Sequence, residues 1–504
     1  MITLINPPGL KTFSGLNMHT PNPPLGLAYI AGRLREAGYD FSVIDAVGER
    51  LDQIKTFEYR SDLKVQGLDL VEIVERVNPS TTLFGVTCTF STFWPLARKL
   101  ISELHKKFPD ATIILGGEHG TAVPESVLRS SDVEVVILGE GEETFLNLIS
   151  AISAGHPLPG VGGIAFLDAG TFCSTSLSIR TRNIDDLPLP AWDLFPIEQY
   201  INAHQINGMN IGRSMPLLAT RGCPYQCTFC SSPNMWTTRY IPRDPILVVD
   251  EIERYKNLYN VTNFDFQDLT AIVKRSWAIK FCNELISRDL QITWQMPSGT
   301  RSEIMDEEVL DLLYRSGCRA LAFAPESGSS EMLKEVKKRV NLVHVAKAVR
   351  LAVGNGLKVS CFFVIGFPSE SRKTLRQTAQ YILKMAWLGA HDISVSKFVP
   401  YPGSEIFRHL QDQGLIELND RFFISPIDFY NRDADSFCRI SARRLYWTMI
   451  FMYSSFYLLS SLLHPFRTLK TVYRVIFHQV EEARYAKWLN DRIFIRKDWE
   501  KKSA

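Results

Sequence analysis

The amino-acid sequence predicts an α/β protein with two successive parallel-sheet domains followed by a helical region. Two series of short apolar runs alternate with amphipathic helical patterns, one within residues 1–150 and one within residues 209–410. Strands of a parallel sheet have this apolar character because helices cover both faces of the sheet. From about Gln411 to residue 504 the alternation stops, and the sequence is aromatic-rich with helical patterns. Residues 151–208 are predicted to link the two domains.

The first series predicts a doubly wound, Rossmann-like sheet. Its strand candidates are "MITLIN", "FSVIDA", "LFGVTC", "TIILGG" and "VEVVILGEGEE". Helical patterns, such as "LGLAYIAGRLREAG" and "ARKLISELHKKF", lie between them. Ligands of such sheets bind beyond the carboxyl ends of the strands. The residues at those ends are Asn6, Pro7 and Pro8, then 45–47, 87–91, 116–119 and 139–142.

The second series predicts an open barrel. Gly-, Ser- and Pro-rich sequence from about Gly155 to Pro196 precedes it and is typical of a linker, here with one small hairpin. The six strand candidates are "MPLLAT", "NFDFQD", "ITWQMP", "ALAFAP", "KVSCFFVIG" and "DISVSKFVP". Six strand-helix units are fewer than the eight of a closed barrel, which favours a partial (β/α)6 barrel.

Three cysteines follow the first strand of the second series with the spacing C-x3-C-x2-C: Cys223, Cys227 and Cys230. They lie on a loop at a strand carboxyl end, where barrels of this class place their active sites. A structural zinc site needs four protein ligands, and the nearest upstream histidine is His204, in a different kind of segment. Three thiolates indicate an iron-sulfur cluster with one iron free of protein ligands. Zinc and three structural cysteines are the alternatives.

This spacing, with the aromatic Phe229 before the last cysteine, resembles the signature of the radical S-adenosylmethionine enzymes. The resemblance implies a 4Fe-4S cluster whose open iron is chelated by S-adenosylmethionine. One electron then cleaves the sulfonium and gives a 5'-deoxyadenosyl radical. The family's partial barrel matches the six strand-helix units.

Further segments resemble the S-adenosylmethionine contacts of that family: "FDFQDLT", "PSGTRSE", "APESGS", "VIGFPSE" and "PYPGSE". The family more often has a carboxylate where this chain has Gln267. The resemblance assigns cofactor contacts to Asp268, Arg301, Glu326, Ser327 and Gly366. Alternatively, Asp268, Arg301 and Glu326 are helix caps or members of a structural ion-pair network.

The first 150 residues resemble the cobalamin-binding domain of one branch of these enzymes, through "NPP", "PPLGLAYIAGRLREAG", "GGEHGT" and "LGEGEE". Small residues at strand ends let the backbone approach a flat macrocycle. The resemblance implies cobalamin contacts from Asn6, Pro8, Thr89, Gly116, Gly117, Glu118, His119, Gly139, Gly141 and Glu142. A nucleotide-binding or empty docking domain is the alternative, although no G-x-G-x-x-G follows the first strand.

The cobalt ligand departs from the usual pattern of such domains, which place a histidine below the cobalt with D-x-H-x-x-G. Here Asp45-Ala46-Val47-Gly48 has no histidine, so we expect cobalt without a protein imidazole. His119 is the alternative ligand, but a lone histidine in a Gly-rich loop is more often a packing or hydrogen-bonding residue.

Composition limits the cellular setting and the partners. The net charge of +2 over 504 residues gives no general attraction for nucleic acid. Cysteines are sparse and most are scattered singly among apolar neighbours, which indicates a reducing compartment. The amino terminus has no secretory-signal pattern, so we expect a cytoplasmic protein.

An uncharged apolar segment follows the barrel, at residues 445–463, with the sequence "LYWTMIFMYSSFYLLSSLL". Its length approaches the ~20 residues that cross a bilayer, and basic residues flank it on both sides. A helix packed on the barrel, a helix lying at the membrane surface and a spanning helix are all open, and the serines favour the first two. A surface helix would make a lipid-like substrate plausible.

The predicted function is methylation of an unactivated carbon by a cobalamin-dependent radical S-adenosylmethionine enzyme, with the two cofactor sites facing one cavity. An electron donor such as flavodoxin or ferredoxin and a small-molecule or lipid-like substrate are implied. One alternative is cyclisation, oxidation or rearrangement without methyl transfer, as in the similar anaerobic cyclase of chlorophyll synthesis. Another is a non-catalytic cobalamin or iron-sulfur sensor, although no DNA-binding helix-turn-helix is visible. The sequence identifies neither a catalytic acid or base nor the substrate.

Overall fold

The computed structural model describes residues 1–12, 22–176, 180–205, 208–430, 432 and 435–478. Within these residues the chain forms two parallel-sheet units followed by two long helices. The predicted helical region, 411–504, lies outside the described residues beyond 478.

The first unit contains the predicted doubly wound sheet. Its strands are β1 (Ile2–Asn6), β2 (Gly9–Thr12), β3 (Phe41–Asp45), β4 (Ile54–Phe57), β5 (Arg60–Gln66), β6 (Leu83–Thr87), β7 (Thr112–Gly116), β8 (Val135–Ile137), β9 (Ile164–Asp168) and β10 (Thr171–Ser174). Its helices are α1 (Leu25–Glu36), α2 (Leu70–Arg76), α3 (Trp94–Lys107), α4 (Glu118–Ala122), α5 (Pro124–Ser130), α6 (Glu142–Ser153) and α7 (Ile197–Asn202). In the main sheet the order is β10-β9-β8-β7-β6-β1-β3, and β8, β7, β6, β1 and β3 are mutually parallel, as predicted.

Alternating side chains of this sheet enter two apolar clusters, one on each face. Leu4 of β1 belongs to a cluster with residues of α1 and α6, whereas the adjacent Ile5 belongs to a cluster with residues of α3. Helices therefore cover both faces, which is why most residues of these strands are apolar and do not alternate regularly with polar residues.

Two features of the first unit differ from the sequence expectation. The sequence missed a second sheet, with antiparallel order β2-β5-β4 and a small core around Leu10, Phe57 and Leu63. The predicted hairpin within 151–208 exists as β9–β10, and β9 pairs with the edge strand β8. This hairpin belongs to the main sheet and extends it beyond residue 150.

The second unit contains the six predicted strands in chain order, and a separate pair of two-residue strands, β12 and β13, lies between the first and the second of them. Its strands are β11 (Ser214–Leu217), β12 (Thr220–Arg221), β13 (Ile241–Pro242), β14 (Asn263–Phe266), β15 (Thr293–Thr300), β16 (Cys318–Glu326), β17 (Lys358–Ile365) and β18 (Asp392–Lys397). Its helices are α8 (Ser232–Trp236), α9 (Pro245–Tyr259), α10 (Arg275–Arg288), α11 (Glu307–Arg315), α12 (Ser330–Glu335), α13 (Leu342–Gly354), α14 (Arg372–Trp387), α15 (Glu405–Asp412) and α16 (Asp420–Ile424). The sheet order β11-β14-β15-β16-β17-β18 is parallel throughout, consistent with an open (β/α)6 barrel.

The last two helices pack on this barrel. They are α17 (Ala442–Leu463) and α18 (Pro465–His478). One side of α17, which includes Met449 and Phe456, is buried against the core, and the Tyr453 hydroxyl accepts from the Val395 backbone N–H at 2.8 Å. Within the described residues, no helix has the length and apolar character needed to cross a bilayer.

A buried polar network lies on the face of β14 opposite its phenylalanines. The Asp265 carboxylate accepts from Gln295 Nε2 at 2.6 Å and from Asn263 Nδ2 at 3.0 Å. Gln295 in turn donates to and accepts from the backbone of Met209, so this network closes one part of the barrel. Burial raises the pKa of Asp265 to about 8. The folded protein therefore keeps Asp265 largely protonated at neutral pH.

We expect Asp265→Asn to remove a pH dependence of stability. Because the folded pKa is raised above the unfolded value near 4, this carboxyl stabilises the fold most at low pH. Its contribution is lost as the pH rises through about 8, at up to about 1.4 kcal/mol per pH unit for one proton. Urea unfolding at several pH values between these limits measures the slope. The control is Asp110→Asn, an exposed carboxyl; equal slopes for the wild type and Asp265→Asn would contradict the prediction.

Candidate active site

The loop that carries the three cysteines begins with a turn that requires glycine. Gly222 follows β12 with φ +80°, and a Cβ at this position would lie 2.2 Å from the Arg239 carbonyl oxygen. The loop is then held by the Thr228 N–H, which donates to the Val336 carbonyl at 3.1 Å, and by the Cys230 N–H, which donates to Cys227 at 3.0 Å. The backbone therefore fixes the loop at the carboxyl end of the first barrel strand, where the sequence predicted it.

The three thiols are partly buried and form no disulfide. Burial raises the pKa of Cys230 to about 12 and also raises that of Cys227. A metal must therefore displace protons from these two neutral thiols. Among the described residues, no group of three or more His, Cys, Asp or Glu side chains is placed to hold a single metal ion. The assignment to a cluster thus depends on the donor set of three thiols and their loop.

A cavity of about 60 Å³ lies beside Cys223 and Cys227. The hydroxyls of Thr270, Thr300 and Ser302 line it, are buried, and have no hydrogen-bond partner among the described residues. Buried hydroxyls without partners cost free energy unless a ligand or water satisfies them. The three hydroxyls can therefore donate to or accept from a polar group placed beside the cysteines, although a cavity of about 60 Å³ is too small to enclose a whole S-adenosylmethionine molecule.

Arg301 is the predicted contact that lines this cavity directly. Its guanidinium lies 3.8 Å from the centroid of the Tyr225 ring, and Tyr225 belongs to the cysteine loop. The same guanidinium donates to Glu303 at 3.1 Å and to the Arg339 carbonyl. Arg301 thus carries a fixed positive charge at the cavity wall.

Glu326 does not line the cavity itself but pairs with Lys338, a lining residue that was not predicted from the sequence. Its carboxylate accepts from Lys338 Nζ at 2.8 Å, and Lys338 lines the cavity. Burial opposes the charge on Lys338, but Glu326 raises its pKa above the usual value. Glu326 has φ +64°, a left-handed conformation that is strained for a residue with a side chain. The two residues form a charged pair next to Cys227.

The other predicted barrel contacts have protein partners. Asp268 accepts from Thr220 Oγ1 at 2.5 Å and from the Ala219 N–H at 3.2 Å, and burial raises its pKa to about 6. Ser327 lies 3.0 Å from the Thr378 hydroxyl on α14. Gly366 has φ +89°, and a Cβ there would lie 2.7 Å from Leu445 of α17. These three residues position the segments around the site.

The strand ends of the first sheet offer open backbone for a flat ligand. A Cβ on Gly116 would meet no atom within 4 Å, so the missing side chain leaves space there. Gly117 and Gly139 have φ +107° and +77°, where glycine is strongly preferred. Thr89 is exposed at the end of β6, and Pro8 is buried after β1. A Cβ on Gly117 would lie 2.5 Å from the Cys88 carbonyl oxygen, so the open backbone at this edge is at Gly116. The cobalamin contacts of these residues stay a prediction.

Polar residues predicted to contact cobalamin have other partners. Asn6 donates to the Asp45 carboxylate at 2.7 Å, which also accepts from the Tyr200 hydroxyl at 3.0 Å. Burial raises the pKa of Asp45 to about 6. Gly141 precedes α6, and a Cβ there would lie 3.1 Å from Ile30. The side chain of Asn6 is thus held inside the first unit.

His119 is a packed neutral imidazole. Its ring lies 4.9 Å from the Trp94 ring and 5.1 Å from the Phe423 ring, and Nδ1 lies 2.9 Å from Ser91 Oγ. Burial lowers its pKa to about 3. Nε2 is buried and has no hydrogen-bond partner in the described part of the chain. These contacts agree with the packing interpretation, and a role as cobalt ligand stays a hypothesis.

The strand-end loops of the two sheets meet. Ser231, next to Cys230, donates to Glu118, which follows β7 of the first sheet. Burial raises the pKa of Glu118. Arg221, two residues before Cys223, pairs with Glu142 at 2.5 Å and with Glu140 at 3.4 Å. Two residues predicted to bind cobalamin, Glu118 and Glu142, thus contact the segment that carries the cysteines.

Comparison with known protein families identifies two domains. The family model described as the radical SAM superfamily matches residues 217–382, which include the three cysteines and most of the barrel. The description of the B12 binding domain matches residues 14–149, which include the glycine-lined strand ends.

Curated relatives match most of the chain. An uncharacterized methyltransferase of Pyrococcus horikoshii is 28% identical over 84% of this chain and 87% of its own length. The anaerobic magnesium-protoporphyrin IX monomethyl ester cyclase of Cereibacter sphaeroides is 29% identical over 80% of this chain and 63% of its own length.

A solved structure shares the fold of both domains. The radical S-adenosylmethionine methyltransferase TsrM of Kitasatospora setae, with cobalamin and a [4Fe-4S] cluster bound, aligns with a TM-score of 0.64 and 17% identity. The alignment covers 91% of this chain and 88% of TsrM. The chain is therefore a radical S-adenosylmethionine enzyme with an amino-terminal B12-binding domain, and its cofactors are a 4Fe-4S cluster, S-adenosylmethionine and cobalamin.

Proposed function

We propose that this enzyme transfers a methyl group from S-adenosylmethionine, by way of cobalamin, to an unactivated carbon. The cluster would supply the electron that cleaves the sulfonium of S-adenosylmethionine. Cobalamin would serve as the methyl carrier. The observation that carries the proposal is the contact between Ser231, beside Cys230, and Glu118, at the strand ends of the B12-binding domain. Because both loops lie at strand carboxyl ends, one substrate can reach both cofactor sites.

The residues of the chain have distinct parts in this proposal. Cys223, Cys227 and Cys230 hold the cluster. Thr270, Thr300 and Ser302 offer hydroxyls to the polar groups of S-adenosylmethionine. Arg301 and Lys338 line the cavity with cationic side chains that could also donate to a carboxylate of that cofactor, beside their own partners Glu303 and Glu326.

On the cobalamin side, the glycines at the strand ends would let the backbone approach cobalamin and offer N–H groups to its amides. Gly116 and Gly117 lie at the end of β7, and Gly139 lies just after β8. His119 is neutral because of its buried position, so it contributes no charge to the site. The polar contacts of Asn6 and Glu142 instead hold the loops in place.

A single-turnover experiment tests methyl transfer without knowledge of the substrate. The reconstituted holoenzyme is reduced with titanium(III) citrate and given deuteromethyl S-adenosylmethionine. We expect S-adenosylhomocysteine in proportion to bound cobalamin, deuterium in the corrinoid fraction, and 5'-deoxyadenosine as a second product. Omission of cobalamin is the control and should abolish S-adenosylhomocysteine alone. Formation of 5'-deoxyadenosine without S-adenosylhomocysteine would refute the methyl-transfer proposal.

Ring formation or oxidation without methyl transfer is a second candidate. It is supported by the 29% identity to the anaerobic magnesium-protoporphyrin cyclase. The same single-turnover experiment separates the two, because that chemistry would give 5'-deoxyadenosine without methyl donation.

The substrate is a small molecule in this proposal, and the electron comes from an external donor such as flavodoxin or ferredoxin. An open cavity of about 620 Å³ lies against Tyr225 and Gln226 of the cysteine loop, and Lys334, Lys337 and Arg339 line it. These cations favour approach of an acidic donor.

Since the cluster needs a reducing compartment, we place the enzyme in the cytoplasm.

A further inference from the structure

An exposed apolar surface lies on the two carboxyl-terminal helices. On α17 one stripe of side chains faces solvent, formed by Trp447, Phe451, Leu458 and Leu462. These positions are 4, 7 and 4 residues apart, so they lie on one side of the helix. The opposite side of α17 is buried against the barrel. The helix is therefore apolar on both its packed side and its solvent side.

Exposed apolar side chains also lie on α18. Its exposed apolar side chains are Phe466, Leu469, Tyr473 and Phe477, and Phe466 is 86% exposed. Their spacing of 3, 4 and 4 residues again places them on one side of a helix. We call these eight residues of α17 and α18 the apolar stripe. Soluble proteins rarely expose such contiguous apolar surface without a partner for it.

The beginning of α18 is fixed to the barrel. The Arg467 guanidinium donates to the carbonyl oxygens of Gly389 at 2.7 Å and Ala390 at 3.2 Å, and to Ser460 Oγ at 2.6 Å. Gly389 and Ala390 lie between α14 and β18. The apolar stripe is thus attached to the folded barrel at the junction of its two helices.

The chain segment that carries the apolar stripe has charged side chains of one sign. Residues 436–480 contain no Asp or Glu. They contain six basic residues: Arg439, Arg443, Arg444, Arg467, Lys470 and Arg474. Aromatic and aliphatic side chains flanked by Lys and Arg are the pattern of helices that lie on anionic membranes.

We propose that α17 and α18 dock the enzyme on an anionic lipid surface. The apolar stripe enters the interfacial region, and the exposed cations Arg439, Arg443, Arg444 and Lys470 contact the headgroup phosphates. A symmetric contact with a second copy is disfavoured, because it would bring the same basic segments together. The proposal does not depend on the methyl-transfer reaction.

The docking surface is adjacent to the active site through α17. A Cβ added to Gly366 would lie 2.7 Å from Cδ1 of Leu445, which is in the first turn of α17. Gly366 directly follows the carboxyl end of β17, on the side of the barrel that carries the cysteine loop. A membrane-bound enzyme would therefore hold one edge of its active-site rim near the lipid.

Vesicle sedimentation of the full-length protein tests this inference. The vesicles are pure phosphatidylcholine or equal parts phosphatidylcholine and phosphatidylglycerol. We expect binding to the anionic vesicles that weakens as salt is raised, because the basic residues contribute by charge. No binding to either vesicle overturns the proposal. The measurement needs no cofactor, so failure of the methyl-transfer assay leaves its result unaffected.

Matched variants locate the surface. Phe466→Ser with Leu469→Ser should weaken binding by at least about tenfold. Arg443→Glu with Arg444→Glu should weaken it by at least about twentyfold, since each cation near the membrane contributes about fivefold. The controls are Leu258→Ser with Val343→Ser, and Lys347→Glu with Arg350→Glu, all at exposed positions outside α17 and α18. Equal losses in the controls, or no loss in the stripe variants, overturn the proposal. So does light scattering that shows a dimer dissociated by the stripe variants.

Discussion

Replacement of Cys223, Cys227 or Cys230 with alanine is expected to abolish formation of 5'-deoxyadenosine. Two remaining thiols cannot complete the three-cysteine donor set, so the iron cluster should not be retained. We expect the brown absorbance of the reconstituted protein to disappear and product formation to fall by at least about 10³-fold, since the cluster carries the electron for the whole reaction. Iron and sulfide analysis together with product quantification measures both effects.

The matched control is Cys173→Ala, a partly buried free cysteine on the edge hairpin β9–β10. It removes a thiol of similar exposure far along the chain from the cysteine loop, so iron content and activity should stay unchanged. Circular dichroism checks that each variant is folded. A folded Cys227→Ala variant that keeps iron, sulfide and activity would remove the basis for the cluster assignment.

The parallel strands and the position of the cysteine loop could be predicted because their signals are local. Each strand that was predicted for the two parallel sheets contains an apolar run followed by small or polar residues, and glycine marks the turn into Cys223. Since ligands of such sheets lie at strand carboxyl ends, the site region follows once the strands are assigned. The same reasoning identified Gly116, at the end of β7, as a position where a ligand could approach the backbone.

The antiparallel sheet β2-β5-β4 could not be predicted from the same signals. Its edge strands have four residues each, and charged side chains interrupt the apolar pattern, as in "RSDLKVQ" of β5. Leu10, Phe57 and Leu63 form a core only when distant segments meet. Short, half-exposed strands are ambiguous in a single sequence.

The roles of polar site residues depend on contacts between segments far apart in the chain. Asp268 was expected to hold the cofactor, and the structure gives it partners in Ala219 and Thr220, 49 and 48 residues away. The hydroxyls of Thr270 and Thr300 became candidates only because packing leaves them buried without partners among the described residues. Residue type alone does not distinguish a cofactor contact from a structural hydrogen bond.

Arg221 is the clearest case of a residue whose role cannot be predicted from residue type alone. Its replacement is also expected to have a large effect on stability. No sequence motif identified Arg221 as a site residue, because its partner Glu142 lies 79 residues away in the B12-binding domain. Arg221 is 4% exposed, and its guanidinium also lies 5.2 Å from the ring centroid of Tyr29. Burial opposes the charge, but Glu142 raises the pKa of Arg221 above its usual value. The pair thus joins the two domains directly before the cysteine loop.

We expect Arg221→Met to lower the free energy of unfolding by about 3–5 kcal/mol, because it leaves the carboxylate of Glu142 buried without its cation. Glu140 keeps its ion pair with Arg180. Urea unfolding of the cofactor-free protein measures this loss, and iron retention after reconstitution should fall with it. Arg221→Met combined with Glu142→Gln should recover part of the stability, since fewer buried charges are then unpaired. The control is Arg129→Met, which breaks an exposed pair with Glu125 and should cost less than about 1 kcal/mol. A loss for Arg221→Met no larger than for Arg129→Met would mean that this buried pair does not hold the domains together.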